Sequence, residues 1–297
     1  MSIQSADGIL LAVALSKWQK ARWQPIRLRA PGRYRSLNEG EEAMKIYVLL
    51  KQTFDTEEKI VLQDGKIRED GAKFIINPYD EYAVEEAIRI REAHGGTVVA
   101  VSVGSERAVE ALRTALAMGA DEAVLIEDQN LEDEYGVSRA LAAYLKGRPV
   151  DLVLAGYFSV DNGAGQVAIR VAELLGLPHV GSVTKLTLSG NTAICERDAE
   201  GDVERVEVTL PALITAQQGL NEPRYPSLPG IMKAKRKPLD RLTPGELGLQ
   251  PEELVPEVRR VSLSLPNARR KGRILAGELN EQVQALVRHL HHDNRVI

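Results

Sequence analysis

Cysteine, aromatic residues and long apolar stretches are all scarce in this sequence. Of its 297 residues one is a cysteine, Cys195, and 4% are aromatic. A single cysteine forms no intramolecular disulfide and no multi-cysteine metal cluster, and this usage is typical of a reducing compartment. No apolar run approaches the roughly 20 residues that a membrane-spanning helix needs, so we expect a cytoplasmic protein that does not insert into membranes.

Residues with catalytic or metal-binding chemistry are also few. Cys195 lies in the alternating segment TAICERD, which is typical of a small buried side chain rather than of a reactive thiol. His289, His291 and His292 lie near the C-terminus, but without a cysteine or carboxylate arranged with them as a metal site needs. No obvious nucleophile or acid–base pair occurs elsewhere. We therefore expect neither catalytic residues nor a bound metal.

Positive charge is scarce beyond the N-terminal segment. The whole chain has a net charge of −4, made up of +3 in residues 1–43 and −7 in the remainder. An acidic body lacks the basic footprint of a nucleic-acid-binding protein. In residues 1–43 the basic residues follow the apolar run GILLAVAL, whereas a secretory signal has them before it. We expect a poorly ordered N-terminal extension, with a mitochondrial transit peptide or a true start at Met44 as alternatives.

From Met44 onward the chain alternates apolar strands with amphipathic helices. The runs KIYVLLKQ, TVVAVSVG and VDLVLAGY are typical of strands buried on both faces, and helices between them imply parallel pairing with right-handed crossovers. Asp64-Gly65 between two short β-prone runs predicts a hairpin. After Pro178 the segments SVTKLTLSG, NTAICERDAEG, VERVEVTL and ALITAQ predict antiparallel additions. The fold class is α/β, a three-layer, doubly wound and mostly parallel sheet of the adenine-nucleotide-binding type, with an extended C-terminal arm.

The stretch from Val150 to Pro178 reads as a strand, a glycine-rich turn and a helix. Gly163 and Gly165 lie in the turn, and the apolar periodicity of a helix begins near Gln166. Such a turn lies at the carboxyl end of its strand, where a helix start presents free N–H groups and a positive dipole end that suit a phosphate. The turn matches neither the dinucleotide fingerprint nor the P-loop, so a purely structural role for its glycines is the alternative.

From Met44 to about Leu249 the chain resembles the β subunit of electron-transfer flavoproteins. The most specific match is ITAQQGLNEPRYPSLPGIMKAKRKPL, residues 214–239, a proline-interrupted loop followed by a basic run. NPYDEYAVEEAIRI and TALAMGAD support it. The turn between Val160 and Gly165 is shorter here than in many members of the family, which makes the contacts expected of individual turn residues less specific.

The resemblance implies an electron carrier rather than an enzyme. Such a subunit pairs with a larger α subunit that holds most of the FAD, while the β subunit usually holds a structural AMP. The complex accepts electrons from acyl-CoA dehydrogenases or other flavin dehydrogenases and passes them to a quinone-linked or other acceptor. By position, the resemblance assigns the cofactor site to Leu49, Asn77, Pro78, Tyr79, Asp80, Val103, Ser159, Val160, Asp161, Asn162, Gly163, Ala164, Gly165, Gln166 and Val167.

Within that site, the resemblance implies two kinds of contact. The backbone N–H groups of residues 163–167 are expected to hold the phosphate. Some family members have a tyrosine near the flavin at the position that Thr56 occupies in this chain. Because threonine has no ring, Tyr79 is the expected aromatic neighbour of the isoalloxazine. The domains expected are the extension 1–43, an α/β domain 44–237, and an arm and helix 238–297 that contact the partner subunit.

The proline-rich segment 221–237 is implied to be a recognition loop for partner dehydrogenases. In the family one leucine, here Leu228, enters an apolar pocket on the partner, and Ile231 and Met232 are expected to widen the contact. Pro229 belongs to the same partner-binding surface. Flanking prolines pre-order such a loop and lower the entropic cost of docking. The alternative is that Leu228 packs inside its own subunit. The basic run Lys233, Lys235, Arg236 and Lys237 is expected to be solvated, or to steer acidic partners.

Two rival functions remain open from the sequence. In bifurcating members of the family a second FAD takes the place of AMP in the β subunit. A different class of protein, a stand-alone domain that binds or hydrolyses adenine nucleotides, has related architecture. The absence of a Lys-Ser or Lys-Thr pair after the glycine-rich turn argues against hydrolysis by a P-loop mechanism.

Overall fold

The structure is a computed structural model that describes residues 26–28, 43–128, 131, 133–265, 272, 274–293 and 296. The described residues form two compact units. The larger unit contains those up to Lys59 and from Glu69 to Arg260, and the smaller contains Ile60–Arg68 and those from Val261 onward. Most of the extension 1–43 and part of the predicted C-terminal arm lie outside the described residues, and the predicted domain boundaries stay a prediction.

A ten-stranded sheet forms the centre of the larger unit. Its strands are β1 (Ile26–Leu28), β2 (Lys45–Leu49), β7 (Thr97–Gly104), β8 (Glu122–Glu127), β9 (Leu152–Gly156), β10 (His179–Ser189), β11 (Thr192–Ala199), β12 (Asp202–Thr209), β13 (Ala212–Ala216) and β14 (Leu239–Leu242). Their order across the sheet is β1-β12-β11-β10-β13-β9-β2-β7-β8-β14. A separate antiparallel pair joins β3 (Gln52–Phe54) to β6 (Phe74–Ile76).

Strand β2 lies in the middle of the sheet and pairs in parallel with β7 on one side and β9 on the other. Its alternate side chains enter two separate cores, Ile46 and Val48 on one face and Tyr47 and Leu49 on the other. Because both faces of the strand are buried, the run is continuously apolar. The prediction of strands buried on both faces is confirmed.

Helices cover both faces of this sheet. In the larger unit they are α1 (Pro78–His94), α2 (Ala108–Met118), α3 (Glu134–Leu145), α4 (Val167–Leu175) and α5 (Leu228–Ala234). Apolar residues of α1, α2 and α5 join the core that contains Ile46, whereas those of α3 and α4 join the core that contains Tyr47. The three-layer, doubly wound α/β arrangement is therefore confirmed.

The segments after Pro178 follow the expected pattern in part. Strands β10, β11 and β12 form an antiparallel meander, as predicted. The prediction for ALITAQ was wrong, because β13 lies between β9 and β10 and runs parallel to both. All of its residues are buried. A central position hides both faces of the strand, which fits a mainly apolar segment in which Thr215 is the one polar residue, whereas an antiparallel strand with one solvated face alternates.

The smaller unit contains the predicted hairpin and the C-terminal helix. β4 (Leu62–Gln63) pairs with β5 (Lys66–Ile67), and Asp64 and Gly65 between them both have positive φ, at 52° and 73°. Two successive positive φ values are typical of the primed turns that Asp-Gly favours, so this prediction is confirmed. Helix α6 (Leu279–Arg288) leads into a π-helical turn, His289–Asp293.

Neither a membrane span nor a metal site occurs in the part of the chain that the structure describes. Each of its helices is too short or too polar to cross a bilayer. Its His, Cys, Asp and Glu side chains form no group of three that would hold a metal ion. The ring of His289 does contact a carboxylate, that of Asp293, four residues further along the chain.

Candidate functional site

A cleft of about 240 Å³ opens at the carboxyl ends of β2, β7 and β9, on the side of the sheet that α3 and α4 cover. This edge is where ligands of open parallel sheets bind. Of the predicted cofactor residues, the following line the cleft: Leu49, Asn77, Asp80, Val103, Ser159, Asn162, Ala164, Gly165 and Val167. The remainder lie beside them in the chain without lining it: Pro78, Tyr79, Val160, Asp161, Gly163 and Gln166. Four segments far apart in sequence therefore meet at one site.

The carboxylate of Asp80 joins three elements at the base of the cleft. Its Oδ2 accepts a hydrogen bond from the N–H of Lys51 at 2.7 Å, and its Oδ1 accepts one from the N–H of Gly156 at 2.9 Å. Asp80 lies in the first turn of α1, Lys51 follows β2, and Gly156 ends β9. Asp80 therefore holds the relative positions of the two strand ends and the helix start.

Burial raises the pKa of Asp80 to about 7, although the N–H groups of Lys51 and Gly156 favour its charged form. Between pH 4 and pH 7 the native chain then holds a proton that the unfolded chain, with a pKa of 3.8 at this residue, has released. The native protonated form therefore adds to the free energy of unfolding, and its full contribution is present below pH 4. This contribution, about 4 kcal/mol at most, is lost as the pH rises from 4 to 7.

We expect this pH dependence to disappear when Asp80 is replaced by Asn. Urea unfolding at several pH values checks it: the stability of the native chain relative to Asp80→Asn should fall from about pH 4 to pH 7 and then level off. Equal pH dependence of the two proteins over this range would contradict the raised pKa.

The side chain of Asn77 is hydrogen-bonded to the backbone at the start of the glycine-rich turn. Its Nδ2 donates to the carbonyl of Phe158 at 2.9 Å, and its Oδ1 accepts from the N–H of Val160 at 3.1 Å. The residue is 1% exposed. Because both ends of the amide are occupied by the turn, its side chain shapes the cleft rather than offering a free polar group to a ligand.

The N–H groups of the glycine-rich turn divide into two sets. The N–H of Gly163 donates to the carbonyl of Ser159 at 2.8 Å, and that of Ala164 donates to Oδ1 of Asn162 at 3.0 Å. Both groups thus have acceptors inside the turn itself, and their expected contact with a phosphate stays a prediction. The N–H groups of Gly165 and Gln166 have no acceptor among the described residues and lead directly into α4.

A lysine at this cleft was missed by the reasoning from sequence. Lys51 follows β2 and lines the cleft, and its Nζ lies 3.1 Å from Oγ of Ser159 and 2.8 Å from Oδ1 of Asp161. It brings a positive charge to the part of the cleft that the turn forms. The available signal was its place at the carboxyl end of the first buried strand, where a charged residue interrupts an apolar run.

The start of α3 also lines the cleft, and it was missed as well. Asp133 caps this helix by accepting from the N–H of Gly136 at 2.9 Å, and its other oxygen accepts from the N–H groups of Glu257 and Val258. Burial by itself would raise the pKa of Asp133, but these three N–H donors outweigh it and hold the pKa below its usual value. Two helix N-termini, those of α3 and α4, thus face the cleft.

An aromatic cluster lies next to the cleft. The ring of Tyr79 is centred 4.4 Å from that of Phe158 and 5.5 Å from that of Tyr157. Tyr157 is 37% exposed. These rings give the mouth of the cleft a partly exposed apolar surface, and the role of Tyr79 beside a flavin stays a prediction.

A second candidate site is an exposed ridge formed by Leu228, Pro229, Ile231 and Met232. Helix α5 begins at Leu228, and Ser227 caps it by accepting from the N–H of Gly230 at 3.1 Å. The exposed fractions are 74% for Leu228, 43% for Ile231 and 59% for Met232. Leu228 is therefore not packed among the residues that the structure describes, and the alternative in which it is buried in its own subunit is wrong.

The basic run after the ridge does not behave as one group. Lys233, Lys235 and Arg236 are exposed. Lys237 was expected to be solvated with them, and this was wrong: its Nζ donates to the carbonyl of Leu116 at 3.0 Å and to that of Ala120 at 2.6 Å. Burial lowers its pKa. A cation at carbonyls around the end of α2 suits the negative end of the helix dipole, so Lys237 has a structural role.

Comparison with known proteins supports the resemblance noted in the sequence. The model of the electron transfer flavoprotein domain matches residues 64–247. A protein named electron transfer flavoprotein subunit beta from Bacillus subtilis is 54% identical over 257 residues, which cover 86% of this chain and 100% of that protein. The chain belongs to the electron transfer flavoprotein β-subunit family. Its human counterpart of the same name is 36% identical over 236 residues, 77% of this chain and 91% of the human protein.

Family membership has two direct consequences. A β subunit has an α subunit as its partner, and a flavoprotein uses a flavin. A protein of the same name from Syntrophomonas wolfei is 50% identical over 197 residues, 66% of this chain and 78% of that protein. The match of the domain model, residues 64–247, includes the ridge and the cleft residues from Asn77 onward, whereas Leu49 and Lys51 precede it.

Proposed function

We propose that this chain is the β subunit of a heterodimeric electron-transfer flavoprotein with AMP in its cleft. The complex accepts electrons from flavin dehydrogenases such as acyl-CoA dehydrogenases and delivers them to a quinone-linked or other acceptor in the cytoplasm. FAD is held mainly by the α subunit and supplies the electron-transfer chemistry when bound. The chain acts as scaffold, nucleotide holder and docking surface, without catalytic residues of its own.

The observation that carries the nucleotide assignment is a pair of backbone N–H groups, those of Gly165 and Gln166. Neither donates a hydrogen bond to any described residue. They lie directly before the first turn of α4, and residues on either side of them line the cleft. Unpaired N–H groups at a helix start bind anions, and the dipole of the helix adds to the attraction. The apolar side chains of Leu49, Val103 and Val167 offer a surface for an adenine ring. The site thus fits a nucleotide with a phosphate near α4.

Lys51 is proposed to supply the balancing positive charge for that phosphate. Replacing it with Met removes the charge and unpairs Asp161, whose carboxylate would then repel an anion. We expect the dissociation constant for AMP to rise about tenfold, as for the loss of one hydrogen bond to a charged group. Calorimetric titration of AMP into the nucleotide-depleted complex measures this.

The matched control for this variant is Lys45→Met at the opposite end of the same strand. Lys45 pairs with Glu122 at 3.3 Å and does not line the cleft. AMP affinity should be unchanged in that variant. An unaltered affinity in Lys51→Met as well would remove Lys51 from the nucleotide site.

The ridge and the arm are proposed to contact different partners. The exposed ridge would dock the dehydrogenase, with Leu228 entering an apolar pocket and Ile231 and Met232 enlarging the contact. The arm, residues 238–297, would contact the α subunit. Within it, α6 exposes the apolar residues Leu279, Val283, Leu286 and Val287, a stripe at helical spacing that is typical of a helix with a partner.

Cofactor counting tests the proposed function. The chain is co-expressed with its α subunit, the complex is purified and denatured, and released FAD and AMP are measured per heterodimer. One FAD and one AMP are expected. Two FAD without AMP would replace the proposal by the bifurcating alternative, and a stable homo-oligomer that hydrolyses ATP without flavin would replace it by the stand-alone nucleotide-binding alternative.

A further inference from the structure

Arg224, near the start of the proline-rich segment, makes two paired contacts with α1. Its Nε and Nη2 lie 2.8 and 3.1 Å from the carboxylate oxygens of Glu85, and its Nη1 and Nη2 lie 2.7 and 3.0 Å from those of Glu92. Its backbone N–H also donates to Glu85, at 3.2 Å. We call this group of three residues the Arg224 clamp. A planar guanidinium with five donors can fork two carboxylates in this way, whereas an ammonium cannot.

The carboxylate at the centre of the clamp is deeply buried. The side chain of Glu85 is 2% exposed and also accepts from Nε of Arg89 at 2.7 Å. Burial would raise the pKa of Glu85, but the hydrogen bonds from Arg224 and Arg89 hold it below its usual value. A buried, charged and multiply bonded carboxylate is a rigid attachment point.

The far end of the segment is attached independently. Nη1 of Arg113 on α2 donates to the carbonyls of Ala234 and Lys237, at 2.7 and 2.9 Å. Gly230 approaches α2 so closely that a Cβ there would lie 2.5 Å from the carbonyl oxygen of Ala117. The C-terminal end of α5 is therefore fixed to α2 through Arg113, and Gly230, the third residue of α5, also lies against α2. The chain that enters the ridge is attached instead to α1, by the clamp of Arg224 and by Nδ2 of Asn221, which donates to the carbonyl of Tyr82 at 3.0 Å.

We propose that Arg224 is a positioning residue for docking, which fixes the entry to the exposed ridge so that Leu228 points outward before a partner arrives. The proposal rests on the proposed function, in which the ridge docks a flavin dehydrogenase. Leu228 follows Arg224 closely in the chain, and the ring of Pro226 restricts the backbone between them. Holding a docking residue in place beforehand lowers the entropic cost of binding.

The test uses Arg224→Lys in the complete α–β complex, since lysine keeps the charge but loses the fork. Electron transfer from an acyl-CoA dehydrogenase is measured while the concentration of the complex is varied. We expect KM for the complex to rise about tenfold while kcat stays within about twofold, because docking is impaired and the flavin is not. The FAD content should equal that of the unaltered complex.

A double variant separates positioning from general damage. If Arg224 acts through Leu228, adding Arg224→Lys to Leu228→Ala should change KM by no more than about twofold further, since coupled residues are not additive. The control is Arg241→Lys, whose guanidinium pairs with exposed Glu106. That variant should keep the KM of the unaltered complex.

Each outcome of this experiment has one meaning. An unchanged KM in Arg224→Lys, with a raised KM in Leu228→Ala, overturns the positioning role and leaves the docking ridge standing. Full additivity of the two changes, or a fall in FAD content, also overturns it, because Arg224 would then act elsewhere. An unchanged KM in Leu228→Ala refutes the docking ridge itself and the positioning role with it.

Discussion

Replacing Gly156 with alanine is expected to destabilise the chain by about 3 kcal/mol and to abolish nucleotide retention. A Cβ at this position would lie 2.2 Å from Oδ1 of Asp80 and 2.8 Å from the carbonyl carbon of Tyr79. The start of α1 would have to move away from β9, and the hydrogen bond from Gly156 N to Asp80 would break. A buried carboxylate that loses a donor adds its own cost to that of the overpacking.

Urea unfolding and the AMP content of the purified complex measure the two effects. Gly181→Ala is the matched control, because the nearest atom to its added Cβ is Oγ1 of Thr215 at 3.7 Å, an ordinary contact. The free energy of unfolding of that variant should lie within about 1 kcal/mol of the value for the unaltered chain. Normal stability of Gly156→Ala would show that the helix and strand can separate at little cost, and would refute the role of Asp80 in holding them together.

Replacing Leu228 with alanine is expected to raise KM for the complex with an acyl-CoA dehydrogenase about 30-fold, without loss of flavin. The side chain is 74% exposed, so its removal costs little folding energy, while an anchor that fills a partner's pocket contributes about 2 kcal/mol or more. Steady-state transfer rates at varied concentrations of the complex give the KM.

Leu174→Ala serves as the control for the loss of an exposed leucine. Leu174 lies in α4 and is 49% exposed. Its replacement should leave the transfer kinetics as they are. Equal transfer rates for Leu228→Ala and the unaltered complex would show that the dehydrogenase docks on another surface.

Much of the fold could be predicted because its signals are local. A strand buried on both faces has to be apolar throughout, and KIYVLLKQ and VDLVLAGY show this directly. Asp64-Gly65 predicted its hairpin because few residue pairs tolerate two positive φ values. The failure at ALITAQ has the same origin. Its mainly apolar run indicated a strand, but the pairing of β13 with β9 and β10 joins segments that are distant in the chain, and the run does not encode which neighbours it takes.

The site was predictable in outline for the same reason. Parallel strands bring their carboxyl ends to one edge, so Leu49, Val103 and the turn after β9 were expected to meet there, and they line one cleft. Which turn N–H groups stay available to a ligand could not be predicted. The answer depends on the bonds that Gly163 and Ala164 make inside the turn, and these follow from its folded shape.

The sequence by itself determined the alternation of strands and helices, the edge of the sheet at which the cleft lies, and the family to which the chain belongs. Only the tertiary structure decided the partners of its charged side chains. Lys51 and Asp161 are 110 residues apart along the chain, and Arg224 and Glu85 are 139 apart. No periodicity or turn signal reaches across such separations. The crossovers of the sheet bring these residues together, and burial among neighbours then decides whether a charge is solvated, as at Lys235, or structural, as at Lys237.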